Sequence, residues 1–145
     1  MIRLREMTIE DYDQMYGLWQ RSEGVHVSGA DSRESIAGYL LRNPGLSFVG
    51  ESDGRIAGTI LCGHDGRRGF IYHMAVDPDF RQQQLGRRLA EASLHGLSAQ
   101  GIDKCHIFVI DDNATGNSFW QAIGWEKRSG FSVFSKSCSS GSLLI

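Results

Sequence analysis

Proline is nearly absent: Pro44 and Pro78 are the two prolines in 145 residues. Polyproline segments and stiff proline-rich linkers are excluded, and each proline marks a place where a periodic element must stop. Cysteine is also sparse. Cys62, Cys105 and Cys138 are odd in number and none stands in a C-x-x-C pair, which argues against a disulfide framework or a zinc site and for a reducing, cytoplasmic setting. Charge of one sign is missing too, with 15 Lys and Arg against 17 Asp and Glu. A chain so balanced advertises no broad basic face for nucleic acid or an anionic membrane. No apolar run approaches the roughly 20 residues that span a bilayer, and the charged opening Met1 to Glu6 lacks the apolar stretch of a signal peptide. What is present, 41% hydrophobic and 22% charged residues, is the composition of a globular chain, expected to form one domain over residues 1–145.

Periodicity supplies the elements. Ile2 to Arg5 is expected as a strand. Thr8 is a candidate helix N-cap with Asp11 three residues on, and Ile9, Tyr12, Met15, Tyr16 and Trp19 then recur at helical spacing. The pattern dissolves from Arg21 to Asp31, a polar loop. Ser32 can cap a second helix carrying Ile36, Tyr39 and Leu40, which must end before Asn43-Pro44-Gly45. Leu46 to Glu51 and Arg55 to Gly63 flank the hairpin turn Ser52-Asp53-Gly54, and a second turn at 65–69 leads into a strand from Phe70 to Val76. Three strands joined this way read as an antiparallel meander. A long helix, Leu85 to Ala99, is closed by Gly101. The strand Lys104 to Ile110 follows that helix directly, so a right-handed parallel crossover is expected. A short helix beginning at Thr115 or Asn117 and ending at Gly124, closing strands from Glu126 to Lys136, and a frayed tail over 135–145 complete the chain.

Chemistry concentrates between Tyr72 and Ala90. A strand ends at Val76, an Asp-Pro turn and a short polar loop follow, and a helix opens near Gly86. The first N–H groups of a helix lack internal partners and the peptide dipoles favour negative charge there, so this succession is a seat for a phosphate. Arg81, Arg87 and Arg88 add positive side chains. The run Val76-Asp77-Pro78-Asp79-Phe80-Arg81-Gln82-Gln83-Gln84-Leu85-Gly86-Arg87-Arg88-Leu89 resembles the acetyl-CoA signature of the GNAT superfamily of N-acetyltransferases. That signature is a strand ending V-x-P, an aromatic, then R/Q-x-x-G-x-G/A. Arg81 fills its first position and Gly86 its last, while Gln84 stands where the middle glycine is usual. Asn113 and the run Phe119-Trp120-Gln121-Ala122-Ile123-Gly124-Trp125 are similar to a second family motif, (F/L)-Y-x-x-x-G-F.

The resemblance implies an α/β domain with a mixed, mostly antiparallel sheet of six or seven strands, split centrally and flanked by about four helices. It implies acetyl-CoA as co-substrate and no metal. Backbone amides of Gln82, Gln83, Gln84, Leu85, Gly86 and Arg87, with Arg81 beside them, would hold the pyrophosphate. Gln84 is expected in ordinary right-handed geometry, since a positive φ is costly for a residue with a Cβ. Met74, Ala75 and Val76 would pair with the pantetheine arm, and a donor on this backbone would polarise the thioester carbonyl. Asn113 would bond the cofactor arm, or else serve only as an Asx-turn residue.

The resemblance leaves the catalytic groups open. Trp120 occupies the place of the family's Tyr, and an indole N–H is too weak an acid to protonate a thiolate. The thiolate could leave unaided, Tyr72 could substitute, or the chain could be a feeble enzyme. Phe108 stands near where some peptide-acetylating relatives carry a carboxylate. Tyr72 and His73 are candidates for proton transfer, expected on opposite faces of their strand, with Tyr72 sharing a face with Met74 and Val76. A free histidine, titrating near about 6.5, suits the base, although a water relay would need neither. Glu23 and His26 border the expected acceptor site. The implied reaction is acetyl transfer from acetyl-CoA to a primary amine of a small molecule or peptide by direct attack, in a possible homodimer without nucleic-acid or membrane partners. The alternatives are a longer acyl-CoA as donor, or a CoA-binding sensor or partner protein that has lost catalysis.

Overall fold

Alternating and continuous apolar runs settle here into one sheet with a core on each face. The structure, a computed structural model, describes residues 1–139. In chain order it comprises β1 (Arg3–Glu6), α1 (Tyr12–Gln20), α2 (Arg33–Arg42), β2 (Phe48–Ser52), β3 (Arg55–His64), β4 (Gly69–Val76), α3 (Leu85–Ala99), β5 (Cys105–Ile107) and α4 (Ala114–Ala122), with short 3-10 turns at Ile9–Asp11, Gly29–Asp31 and Pro78–Phe80. Among the described residues no helix is long and apolar enough to cross a membrane.

The strands lie side by side in chain order from β1 to β5. Every pairing is antiparallel except β4 with β5, which is parallel because α3 carries the chain back across the sheet. Ser52 and Arg55 close the β2–β3 hairpin; Asp53 and Gly54 both take positive φ, 50° and 78°, the primed turn that matches strand twist. β3 lies between the two layers and is buried on both faces from Ile56 to Gly63, which is why its sequence is an unbroken apolar and small-residue run. Ile60, Ile71, Leu85, Leu89 and Leu97 belong to one core under α3, and Met15, Leu18, Trp19, Ile36, Val49 and Leu61 to the other under α1 and α2. A Cβ at Gly58 would sit 2.9 Å from Leu85 Cδ2 and 3.0 Å from the Ala75 carbonyl, so its absence lets the first turn of α3 rest directly on the sheet.

Two sequence expectations need correction. Five strands are found among the described residues, not six or seven. β5 pairs over three residues and stops at Ile107, while Glu126–Ser139 is exposed throughout and enters no sheet pairing. Phe131, Val133 and Phe134 are exposed; β-favouring residues make a strand only when a neighbour supplies the ladder. Of the expected frayed tail, 135–139 is exposed and 140–145 lies outside the described residues.

The second correction concerns β4. Thr59 pairs with Ala75 but Leu61 with Tyr72, so His73 and Met74 together face Ile60 in a β-bulge, and His73 takes φ 48°. The bulge resets the alternation. Tyr72 reaches Tyr39 of α2 and His73 reaches Trp19 of α1, on the same side of the sheet, whereas Met74 and Val76 pack into the α3 core.

Entry into α1 is fixed by an ion pair. Asp11 accepts from Thr8 N–H at 3.0 Å and from both terminal nitrogens of Arg5, at 2.9 and 2.7 Å. Burial alone would raise the Asp11 pKa, but the Arg5 guanidinium and the Thr8 amide outweigh it and hold the carboxyl below its usual range. A carboxyl depressed below its unfolded value of about 3.9 stabilises the fold fully above that pH and loses the contribution as pH falls through the folded value. Asp11→Asn should therefore cost about 2 kcal/mol at neutral pH. In thermal melts the gap from the parent chain should close on acidification, as pH falls below the ordinary carboxylate range and through the lowered folded value.

Candidate active site

The site begins where two strands let go of each other. β4 and β5 pair at Gly69–Cys105, Phe70–His106 and Ile71–Ile107, and from Tyr72 and Phe108 onward they part. The opening is a cleft of about 720 Å³ bordered by β4, the start of α3, residues 107–110 and α4. Above it the helices do the reverse and come together. A Cβ on Gly86 would fall 2.9 Å from Phe119 Cε1 and Cζ, so glycine alone lets the first turn of α3 lie against α4.

Asp77 fixes the point at which β4 turns into the loop. Its N–H donates to the Ala57 carbonyl at 2.8 Å. Its carboxylate accepts from Asp79 N–H at 2.9 Å, Arg21 at 2.9 Å and Arg55 at 3.0 Å. The residue is almost wholly buried. Burial by itself pushes its pKa up, and the Asp79 amide with the two guanidinium groups brings it below the ordinary value. Arg55 also lies 5.1 Å over the Phe80 ring, holding the 3-10 turn beneath it.

From this anchor the chain must enter a helix within a few residues, and left-handed geometry makes the reversal. Arg81 is extended, Gln82 has φ 66°, and Gln84, the residue before α3, has φ 62° and ψ 16°. The expectation of a right-handed Gln84 is therefore overturned. A left-handed residue with a Cβ costs about 1–2 kcal/mol. Positive φ at Gln82 and Gln84 thus brackets Gln83 in the reversal that leads into the helix. The N-terminus of α3 opens directly behind it.

Most residues singled out by sequence border this one cleft: Tyr72, His73, Trp120, Met74, Ala75, Val76, Arg81, Gln82, Gln84, Leu85, Gly86, Arg87, Asn113, Glu23 and His26. Gln83 does not border it and is exposed. Arg88 turns away, its guanidinium reaching the Ile2 carbonyl at 3.3 and 3.4 Å. Asn113 caps α4 by accepting from Gly116 N–H at 3.0 Å, the Asx-type role, while its Nδ2 lies against Gly24. Trp120 is buried, its ring edge-on to Phe119 and Trp125 at 5.1 and 4.7 Å. Tyr72 is 43% exposed, open to the cleft. His73 Nε2 lies 2.7 Å from Asp31 Oδ1.

Asp31, Asp77, Arg21 and Arg55 were not singled out by sequence. Asp31 had a signal: Ser28-x-x-Asp31 is capping-box spacing, and Asp31 does accept from Ser28 N–H at 2.9 Å. The Arg21–Asp77 and Arg55–Asp77 pairs join residues far apart in the chain and left none.

The chain is similar to known proteins in sequence and in fold. The family described as Acetyltransferase (GNAT) matches residues 9–125. Acetyltransferase plu1384 of Photorhabdus laumondii subsp. laumondii is 31% identical over 136 residues, covering 93% of this chain and 94% of that one. Among solved structures, the aminoglycoside acetyltransferase AAC(6')-Iy in complex with the bisubstrate analogue CoA-S-monomethyl-acetylneamine superposes with a TM-score of 0.76 at 20% identity, over 95% of this chain and 99% of that chain. The PaiA N-acetyltransferase of Thermoplasma acidophilum in complex with coenzyme A gives 0.74 at 18% identity, over 98% and 94%.

Two substitutions probe the geometry. Gln84→Gly should relieve about 1 kcal/mol of backbone strain and raise the melting temperature. Gly86→Ala should lower it, by about 1–3 kcal/mol, as Phe119 is forced aside.

Proposed function

The chain belongs to the GNAT acetyltransferase family, and from that premise we propose that it transfers the acetyl group of acetyl-CoA to a primary amine of a small molecule or peptide. The observation that carries this reading is the parting of β4 from β5 directly beside the left-handed glutamine loop. A diphosphate needs clustered N–H donors with open approach, and Gln82, Gln84, Leu85, Gly86 and Arg87 border the cleft at the start of α3, where helix N–H groups lack internal partners, with Arg81 beside them. An amide-rich arm needs a strand with backbone groups to spare, and β4 from Met74 to Val76 has lost its β5 neighbour. The bulge at His73 and Met74 displaces the backbone next to that segment, where a donor would meet the thioester oxygen as it gains negative charge.

The acceptor enters from the side of residues 21–31. Glu23 and His26 border the cleft there, and a carboxylate at the mouth favours a cationic amine. The amine nitrogen attacks the thioester carbon directly, since cleft and loop align the two reactants without a covalent enzyme intermediate. Trp120, buried in the wall, shapes the cleft rather than moving a proton. A free thiol has a pKa of only about 8.5, so the thiolate is a competent leaving group. Tyr72 is the tyrosine bordering the cleft that can hydrogen-bond to it. AAC(6')-Iy was captured with an acetylneamine analogue, which supports amines carried on small polycationic molecules as the first acceptors to try.

Two measurements decide the matter. Titration calorimetry should give saturable one-to-one binding of CoA, and Gly86→Ala should weaken it about tenfold or more by pushing Phe119 into the cleft. Free-thiol release from acetyl-CoA should depend on an added amine across a panel of aminoglycosides, polyamines, amino acids and peptides. Absence of CoA binding would sink the reading outright.

A further inference from the structure

His73 is a cleft residue held by partners from three other elements. The ring lies 4.8 Å from the Trp19 ring of α1. Its carbonyl accepts from Thr59 Oγ1 at 3.0 Å, and Thr59 Oγ1 in turn accepts from Trp19 Nε1 at 2.9 Å. Asp31, at the end of the Gly29–Asp31 turn, is 5% exposed. Its Oδ2 takes the Ser28 N–H, its carbonyl takes the Tyr12 hydroxyl at 2.6 Å, and its Oδ1 stands 2.7 Å from His73 Nε2. The carboxylate is thus locked before it meets the ring.

A carboxylate can only accept. Nε2 must therefore carry the ring hydrogen, and in the neutral imidazole the lone pair falls on Nδ1. Among the described residues Nδ1 has no hydrogen-bond partner, and since the Tyr39 hydroxyl is the buried side-chain polar atom left unpartnered among them, Nδ1 is not fully buried. His73 is also one of the residues that border the cleft. The residue also holds a left-handed backbone, unusual within a strand, and the bulge it creates puts the ring beside Asp31 instead of in the α3 core. Packing alone would need neither the strained backbone nor a buried carboxylate.

From this geometry we propose that His73 is the general base of the transfer and that Asp31 is its positioning residue, fixing both tautomer and ring orientation. The proposal rests on the acetyl-transfer reading above. The acceptor enters as the free amine, one proton already left to solvent. Its lone pair forms the C–N bond to the thioester carbon while the carbonyl π pair moves to oxygen. His73 Nδ1 takes a proton from the nitrogen, now positively charged, and becomes imidazolium. The oxygen pair returns, the C–S bond breaks with its electrons on sulfur, and the coenzyme leaves as the thiolate while the imidazolium gives its proton to solvent, which supplies the proton the thiolate later takes up. Atoms and charge balance with no other reactant.

The test uses the full chain and two independent readouts. In wild type, ring 15N NMR, assigned by loss of the signal in His73→Gln, should show His73 with hydrogen on Nε2 and a bare Nδ1, and Asp31→Asn should shift that balance. His73→Ala should lower kcat about 100-fold or more, the range of a lost general base. The KM for acetyl-CoA and CoA affinity by calorimetry should stay within about twofold, because the proposed role of the ring is toward the amine and not toward the coenzyme. Added imidazole should restore part of the rate to His73→Ala, and none to Asp31→Asn, whose own kcat should fall about tenfold or more as a misoriented base. Hydrogen on Nδ1 in wild type would overturn the proposal whatever the rates. So would a His73→Ala enzyme as fast as its parent. A wild-type protein that turns over no amine would overturn instead the acetyl-transfer reading beneath it.

Discussion

Everything at the site follows from a mismatch between layers: α3 and α4 touch at Gly86 and Phe119 while the strands beneath them separate after Ile71 and Ile107. Backbone N–H and C=O groups cannot be left unpaired in a dry interior. A parallel pair that ends after three residues therefore has to hand its next groups to solvent or to a ligand, and an extended chain of amides is the ligand that a strand edge fits. With a side chain at position 86 the Phe119 ring, which borders the cleft, would have to shift.

The second constraint is the buried carboxylate of Asp77. One side chain links the end of α1 through Arg21, the start of β3 through Arg55, and the turn into the loop through Asp79. Its two arginines keep it ionised despite burial, so the loop is tethered to two layers of the fold by charge-assisted bonds. Rigid support beneath an irregular loop is what lets backbone amides keep a fixed aim without being part of a regular element.

Much of this was legible beforehand, and the reasons are local. The Asp53-Gly54 turn, the limits of α3 and the parallel crossover each follow from patterns a few residues wide, and each is found. The unbroken succession of strand, turn and helix start from β4 to α3 was legible for the same reason. What escaped the sequence depends on partners distant in the chain. Nothing in Tyr72-His73-Met74 announces a bulge, because the extra residue is absorbed only when β3 supplies Ile60 opposite it. Gln84 looked like an ordinary helix-start residue, and the requirement to reverse from an extended Arg81 made it left-handed. Glu126 to Lys136 has strand composition without a strand's neighbour. Arg88 carries the right charge but lies one residue past the loop, where the helix turns it toward β1's flank and the Ile2 carbonyl.

The left-handed glutamines bear on how the coenzyme would be received. A flexible loop must surrender its conformational freedom at the moment of association, and that loss subtracts from affinity. Here the awkward dihedrals at positions 82 and 84 are part of the fold, on a loop anchored by Asp77, so the entropy of shaping the loop would be settled when the protein folds. Tight seating then asks little further ordering of the polypeptide, and departure of the spent carrier need not wait for the loop to be undone.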